Sequence, residues 1–207
     1  MSDLKNEIRK AGRKPGFDRE TVVQATADLF WARGYDGVAL SDIMNETGLS
    51  KSSLYNSFGD KDALFQVALS HYGSTVVETG GAWLATDDGS DPIEKLEQLL
   101  SGPIEAAHST GDLRGCFLCN TAADGQMQIP GIDDLVGEGF SELEAGLTAL
   151  LRRYQPDAHE DQLRRYARLT LSVYIGLNVR SRVKAPRPVL MDIKDSLIET
   201  IKMSLPH

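Results

Sequence analysis

The apolar residues of this sequence recur at the three- and four-residue spacing of an α-helix, and little of the chain alternates with the two-residue period of a strand. The stripe that includes Val22, Leu29 and Phe30 is one example. Asp18 precedes this stripe as a candidate N-cap, and Gly34 follows it at the position where a helix often ends. We therefore predict an all-α fold of about nine helices.

Two short helices follow the first one. Ser41 is the predicted N-cap of a helix that stops at Gly48, and Ser50 is the predicted N-cap of the segment SKSSLYNSF, which stops at Gly59. Only residues 48–50 separate the two. Two short helices joined by a three-residue turn with a glycine are typical of a helix-turn-helix unit.

Later helices begin at capping residues or after breaks at proline and glycine. Asp60 and Asp91 are predicted N-caps, Pro103 is predicted to kink the helix that Asp91 begins, and Asp157 with Glu160 forms a start like a capping box. The helices predicted in this way cover about 60–84, 91–104, 116–124, 131–154 and 157–182, with a last helix after residue 188.

Charge is unevenly distributed along the chain. Residues 1–19 contain six basic and three acidic residues, a net charge of +3, so the remainder carries −11 of the overall −8. A basic arm on an acidic body is compatible with DNA binding confined to one end of the molecule. A solvated tail that only keeps the protein soluble explains the same distribution, and charge alone does not separate the two interpretations.

Several functional classes find no support in the sequence. Two cysteines in 207 residues do not make a disulfide-stapled secreted module. The apolar stretch Leu169–Val179 is shorter than the ~18 residues of a membrane span, and the polar N-terminus lacks the core of a signal peptide, so we expect a cytoplasmic protein. The four histidines lack metal-ligand spacing, and no phosphate-binding loop or nucleophile elbow is present, so no metal or cofactor is predicted.

The string GYDGVALSDIMNETGLSKSSLYNSFGDKDALF, within residues 15–72, strongly resembles the DNA-binding domain of the TetR family of one-component bacterial repressors. The resemblance is carried by a glycine–aromatic turn, the end of the first short helix, and the second short helix with the residues after it: Gly34-Tyr35, Gly48, Leu54-Tyr55-x-x-Phe58 and Gly59-Asp60-Lys61. It implies a flexible basic arm over 1–16, a DNA-binding domain over 17–60, and a more variable all-α ligand and dimerisation domain over 61–207.

The second short helix is too polar to be a core element, and its side chains can bond to phosphates or to base edges. The resemblance implies phosphate contacts for Thr21, Tyr55 and Lys61, whereas Leu54 and Phe58 are predicted to be core. Ser52 and Ser53 stand where many relatives carry Gly or Ala followed by Thr, a departure that shifts the expected readout towards Lys51, Asn56, DNA shape and the basic arm. The complete predicted DNA-binding set is Arg13, Lys14, Thr21, Ser41, Lys51, Ser52, Ser53, Tyr55, Asn56 and Lys61.

The segment GCFLCNTA contains both cysteines and resembles a Gly-Cys-apolar-apolar-x-Asn-Thr-Ala segment in one subgroup of TetR-type regulators, some of which sense electrophiles or oxidants through a cysteine. Three interpretations stay open: Cys116 and Cys119 are small buried hydrophobes, one or both form a thiol switch, or they hold a soft metal ion. Arg114 and a helix N-terminus would each lower the pKa of Cys116, which makes it the better switch candidate.

The resemblance places an effector pocket inside the second domain. The side chains predicted to form this effector or thiol site are Trp83, His108, Cys116, Phe117, Cys119, Asn120, Met127, Phe140, Tyr174 and Asn178. Asn120 is the most informative of them, because a carboxamide on an apolar helix must find a hydrogen-bond partner if it is buried.

The last two helices carry apolar stripes that we expect to form a four-helix bundle with a second copy; the alternative is that one of the stripes packs inside the subunit. The predicted interface residues are Leu163, Ala167, Thr170, Val173, Leu177, Leu190, Ile193, Leu197 and Ile201. The predicted function is a DNA-binding regulator, a repressor that an unidentified small molecule or electrophile controls. The alternatives are an all-α thiol-dependent enzyme and a regulator-like adaptor that has lost DNA binding.

Overall fold

The computed structural model describes residues 17–205, so the predicted basic arm, with Arg13 and Lys14, lies outside the described residues. Within 17–205 the chain forms nine α-helices, a short 3-10 helix at Gln126–Gln128 and no strand, which confirms the all-α prediction. None of these helices is long and apolar enough to cross a membrane. The helices are α1 (Arg19–Arg33), α2 (Leu40–Thr47), α3 (Lys51–Phe58), α4 (Lys61–Tyr72, a π-helical turn at Gly73–Val77, then Glu78–Ala85), α5 (Pro92–Glu105, ending in a π-helical turn at Ala106–Thr110), α6 (Phe117–Ala123), α7 (Ile132–Tyr154), α8 (Glu160–Arg182) and α9 (Arg187–Ser204).

Local capping chemistry sets most helix starts. The side chains of Asp18, Ser50, Asp60 and Asp91 each accept a backbone N–H of the first turn that follows, so these four predicted N-caps are confirmed. The helix from Pro92 passes through Pro103 and continues to Glu105.

Two predicted caps are wrong. Helix α2 begins one residue before Ser41, because the Asp42 carboxylate accepts the Ala39 backbone N–H at 2.8 Å and so fixes an earlier start. The N-cap of α8 is His159 rather than Asp157, because a turn closed by the Ala158 N–H on the Gln155 carbonyl keeps Asp157 outside the helix.

The head, which we define as α1 to α3, packs on the first half of α4. The ring of Phe65 on α4 meets the ring of Phe30 on α1 edge-to-face at 5.0 Å between centroids. Phe65 also meets Phe117 of α6 at 5.7 Å, so one aromatic side chain joins the head to the body, which we define as α5 to α9. Helix α4 therefore packs against both the head and the body.

Two cations hold the far end of α4. The ammonium of Lys95, which is 2% exposed, donates to the carbonyls of Trp83 at 3.0 Å and Thr86 at 2.9 Å and pairs with Asp88 at 3.0 Å. Arg153 of α7 donates to the Leu84 carbonyl at 3.3 Å. Positive charge near the C-terminal carbonyls of a helix interacts favourably with the helix dipole. Lys95 and Arg153 therefore stabilise the C-terminal end of α4 against the body.

Most of the predicted dimer stripe packs inside the subunit, and for these residues the prediction needs correction. The predicted interface residues that are at most 5% exposed within the single chain are Leu163, Ala167, Thr170, Leu177, Leu190, Leu197 and Ile201, of which Leu197 also borders the groove described next. Both helices are apolar on more than one side, and the more continuous stripe turns towards α5 and α7. Val173 and Ile193 lie instead beside an outer groove of about 500 Å³, together with Leu169 and Val189.

Candidate nucleic-acid interface and regulatory site

Helix α3 presents a polar face to the outside of the head. Lys51, Ser52 and Asn56 are exposed and Tyr55 is 43% exposed, whereas Leu54 and Phe58, as predicted, are buried. The helix therefore divides cleanly into a core side and a side available to another molecule.

The serines at the start of α3 bond among themselves. The Ser50 hydroxyl lies 3.0 Å from the Ser52 hydroxyl and 2.9 Å from the Ser53 hydroxyl, and it accepts the Ser53 N–H at 3.2 Å. Lys51 extends over the Tyr55 ring, with its ammonium 5.8 Å from the centroid. Lys51, Tyr55 and Asn56 are thus the exposed side chains of α3 outside this serine cluster.

The other predicted DNA-binding residues flank α3. Thr21 and Ser41 are exposed near the starts of α1 and α2. Lys61 is half-buried, with its ammonium 4.1 Å from the centre of the Tyr35 ring. The Tyr35 hydroxyl donates to Asp62, and burial together with that carboxylate raises the pKa of Tyr35 to about 12.

Arg19 is a cation beside α3 that the sequence reasoning did not select. Its guanidinium donates to the Ser57 carbonyl at 2.9 Å and lies 4.3 Å from the centre of the Phe58 ring. It therefore ties the start of α1 to the end of α3. The sequence contained one signal for this position, since Arg19 directly follows the predicted N-cap Asp18 and therefore begins α1.

Both cysteines lie at the start of α6. Cys116 is the N-cap and Cys119 lies in the first turn; both are free thiols and at most 5% exposed. Hydrogen bonds from the Cys119 thiol, from first-turn backbone N–H groups and from the Tyr72 hydroxyl lower the pKa of Cys116 against the opposing effect of burial. The bond to Cys116, together with burial, raises the pKa of Cys119.

Arg114 does not act on Cys116, contrary to prediction. Its guanidinium bonds to Asp112 at 2.8 Å and to Asp28 of α1 at 3.1 Å, and it lies 3.9 Å from the centre of the Trp31 ring. Two carboxylates and an indole face surround the charge, and the carboxylates, Asp112 more than Asp28, raise the pKa of Arg114 against the opposing effect of burial. The residue joins the body to the head.

Asn120 is buried and has the hydrogen-bond partners that burial demands. Its amide donates to the Arg114 carbonyl at 2.8 Å, and its oxygen accepts from Arg182 at 2.6 Å. Beside it, Gly115 adopts φ +68, and a Cβ there would come within 2.9 Å of Arg182. The indole N–H of Trp31 donates to the Gly115 carbonyl at 3.0 Å, so this loop is fixed from both sides.

The structure does not bring the whole predicted effector set together. Trp83 lies against Lys95, His108 is exposed with its ring near the Ala185 carbonyl at 3.0 Å, and Met127 is 36% exposed. Phe140 is half-buried on the outside of the core.

The other predicted residues lie close to one another around Tyr72. Its ring meets Phe117 at 5.7 Å, and its hydroxyl bonds to Cys116. Tyr174 and Asn178 line a cleft with Tyr72. Among residues 17–205, no group of three or more His, Cys, Asp or Glu side chains is arranged to hold a metal ion.

Comparison with known proteins matches residues 22–68 to the family model described as bacterial regulatory proteins, tetR family. The HTH-type transcriptional repressor ComR of Escherichia coli K12 is 34% identical over 113 residues, which are 54% of this chain and 53% of ComR. The repressor BdcR of the same organism is 34% identical over 116 residues, 55% of this chain and 57% of BdcR. The chain thus spans about half the length of the curated relatives it matches.

Solved structures extend the likeness over most of the fold. A cysteine mutant of the TetR family transcriptional regulator CifR, complexed with 26-bp double-strand operator DNA, superposes with a TM-score of 0.74 at 27% identity, over 90% of this chain and 98% of that one. A TetR transcriptional regulator from Chloroflexus aurantiacus superposes with a TM-score of 0.72 at 26% identity, over 89% and 93% of the two chains.

Proposed function

We propose that this protein is a transcriptional repressor of the tetR type that binds operator DNA as a homodimer, since residues 22–68 match the family model described as bacterial regulatory proteins, tetR family. The polar outer face of α3 carries the proposal, since an exposed helix with Lys51, Tyr55 and Asn56 suits the major groove. Residues 17–60 serve as the DNA-binding unit and 61–207 as the unit for dimerisation and control.

A gel-shift titration against DNA upstream of the protein's own gene tests this function. Sequence-specific binding, retained over a scrambled competitor, supports the repressor. Absence of any DNA binding would favour the adaptor, and thiol-dependent turnover without DNA binding would favour the enzyme.

The homodimer is proposed to form through the outer groove of α8 and α9 rather than through the buried stripes. Leu169 is 42% exposed and Val189 is 37% exposed, and both border the groove with Val173 and Ile193. Neighbouring apolar side chains on two adjacent helices are typical of a surface that another copy covers.

Tyr55→Phe and Lys61→Ala are each expected to weaken binding to operator and to random DNA alike, because phosphate contacts carry no sequence information. Lys61→Ala should also reduce the slope of log affinity against log salt by about one. Fluorescence anisotropy at several salt concentrations, with operator and with random duplexes, measures both effects.

Lys202→Ala is the matched control, because Lys202 lies at the end of α9, where its ammonium is 4.0 Å from Glu97. It should leave both affinities unchanged. A change of base preference at one operator position, with random-DNA affinity intact, would contradict the phosphate assignment.

Control through Cys116 is the second part of the proposal. Its thiolate is favoured by the Cys119 thiol, by the N–H groups at the start of α6 and by Tyr72. With hydrogen peroxide, the thiolate sulfur attacks one oxygen and the O–O bond breaks. Cys116 becomes a sulfenic acid, and the departing hydroxide takes up the proton that the thiol lost and leaves as water. Attack by the Cys119 sulfur then forms a disulfide and releases a second water.

Hydrogen peroxide is expected to lower the operator affinity of the unsubstituted protein at least tenfold more than that of Cys116→Ser. Oxidation needs to shift the balance between the DNA-binding and the released state by only about 1.4 kcal/mol for this, because such a bias changes a two-state equilibrium tenfold. Gel shift after treatment, with mass spectrometry of the 116–119 peptide, gives the measurement. Cys119→Ser should still form the sulfenic acid but no disulfide. Equal release from all three proteins would leave Cys116 as a core residue.

A further inference from the structure

A cleft of about 220 Å³ lies where the head meets the body. Its walls come from α1, α4, α5, the loop before α6, and α8. Trp31, Tyr72 and Tyr174 supply three aromatic side chains, and Pro103 and Ala106 add apolar surface. The uncharged part of the wall is therefore mainly aromatic.

The wall on α8 also contains Arg182, an arginine that is held by an amide and not by a carboxylate. Its Nη1 donates to the Asn120 oxygen at 2.6 Å, and within residues 17–205 its guanidinium forms no ion pair. Because the carboxamide of Asn120 is neutral, this bond orients the guanidinium without cancelling its charge. The cleft wall thus carries an uncompensated positive charge.

The position of Arg182 is fixed from two sides. Asn120 is buried, and its amide donates to the Arg114 carbonyl at 2.8 Å. The aliphatic part of Arg182 lies against the loop before α6, where a Cβ on Gly115 would come within 2.9 Å of it. Arg182 is nevertheless exposed, and its bond to Asn120 through Nη1 leaves the edge formed by Nε and Nη2 for an incoming anion. Such a prearranged donor pair loses little side-chain freedom on binding.

The other charged side chain in the wall, Asp112, is already paired. Its two oxygens accept from Nε of Arg114 at 3.1 and 3.2 Å, and one of them accepts from Nη2 at 2.8 Å. Asp28, the second carboxylate on Arg114, lines a separate groove and not this cleft. Among the described residues that line the cleft, Arg182 is therefore the charged group open to a ligand, and it favours an anion.

The volume limits the ligand to one ring. Cavities of about 150 Å³ are known to hold benzene, and sites for drug-sized molecules start near 300 Å³. A planar carboxylate matches the two parallel donors on one edge of a guanidinium, and an aromatic ring matches the aromatic walls. We propose that this cleft binds a monocyclic aromatic carboxylate, with the carboxylate on Arg182 and the ring among Trp31, Tyr72 and Tyr174.

Such a ligand would contact both parts of the molecule. Trp31 lies on α1 of the head, whereas Tyr174 and Arg182 lie on α8 of the body. A ring bound between them favours whichever head orientation leaves room for it. This regulatory consequence rests on the proposed repressor function and gives its effector a chemical class, but ligand binding itself does not depend on that function.

Benzoate and benzamide are the probes, because they have nearly the same size and differ in charge. Titration calorimetry of the unsubstituted protein should give a Kd for benzoate of about 1 mM or below, and binding of benzamide at least about tenfold weaker. Arg182→Gln should weaken benzoate binding at least about tenfold and leave benzamide binding unchanged. Arg182→Lys keeps the charge without the two-donor edge, so its affinity for benzoate should fall between those of the parent and Arg182→Gln.

Arg165→Gln is the matched control, because Arg165 is an exposed arginine of the same helix that does not line the cleft. It should bind both probes like the parent. In Trp83→Phe, Trp31 is the single remaining tryptophan, and a saturable change of its fluorescence with benzoate would locate the ligand in the cleft. Circular dichroism checks that each variant is folded; if Arg182→Gln is not, Arg182→Lys takes its place and should still weaken benzoate and spare benzamide.

Absence of saturable benzoate binding, equal affinity for benzoate and benzamide, or equal losses in the Arg182 and Arg165 variants would overturn the proposed site. Benzoate that binds through Arg182 but leaves operator affinity unchanged would uphold the site and remove its regulatory role. Because probe binding is measured without DNA, a protein that fails to bind an operator still tests the cleft.

Discussion

Ile193→Asp is expected to convert the protein to a monomer and to weaken operator binding by at least about 100-fold. Ile193 lies in the outer groove of α8 and α9 among Leu169, Val173 and Val189, and a carboxylate there would have to be buried against the apolar side chains of the second copy. A monomer contacts one half-site only, and loss of the second half-site removes more than the 2.7 kcal/mol that 100-fold represents. Analytical ultracentrifugation and gel shift measure the two effects.

Val183→Asp is the control for this experiment, because Val183 is 75% exposed just after α8 and does not line the groove. It should stay dimeric and bind DNA normally. Since Ile193 also packs partly on the subunit core, Val189→Asp, at a 37% exposed groove position, separates misfolding from dissociation. A dimeric Val189→Asp and a folded, dimeric Ile193→Asp with full affinity would show that the interface lies elsewhere.

Phe65→Ala is expected to lower the free energy of unfolding by about 3–5 kcal/mol, as is usual when a buried phenylalanine is truncated. The Phe65 ring is 1% exposed and meets Phe30, Tyr35 and Phe117 at 5.0, 5.2 and 5.7 Å between centroids. At about 2–4 °C per kcal/mol for a chain of this size, Tm should fall by roughly 6–20 °C. Thermal and urea unfolding, followed by circular dichroism, give the measurement.

Phe140→Ala is the control, because it removes the same atoms from a half-buried position. It should lower the free energy of unfolding clearly less than Phe65→Ala does. Because Phe65 contacts both the head and the body, Phe65→Ala should also make their unfolding transitions separate. If Phe65→Ala lowered the free energy of unfolding no more than Phe140→Ala does, the Phe65 ring would not have the central packing role assigned to it.

The sequence determined the helical class, most helix starts and the division of α3 into a core side and a polar side. These features depend on neighbours three or four residues apart, as when Ser50 accepts the Ser53 N–H. The same local logic located the N-terminal cysteine of the pair at a helix start, because Gly115 precedes it and an apolar run follows.

The side-chain partners and the inward-facing side of each late helix depend on the tertiary structure, because the sequence is compatible with several arrangements of these contacts. Arg114 is two residues from Cys116, yet Asp28, 86 positions away, and Trp31 hold its charge. Helices α8 and α9 have apolar residues on more than one side, and only the packing of α5 and α7 determines that Leu177 faces inward while Val173 stays near the surface. The cleft that Tyr72 lines with Tyr174 and Asn178 exists for the same reason: five separate segments form it, and no local pattern specifies where they meet.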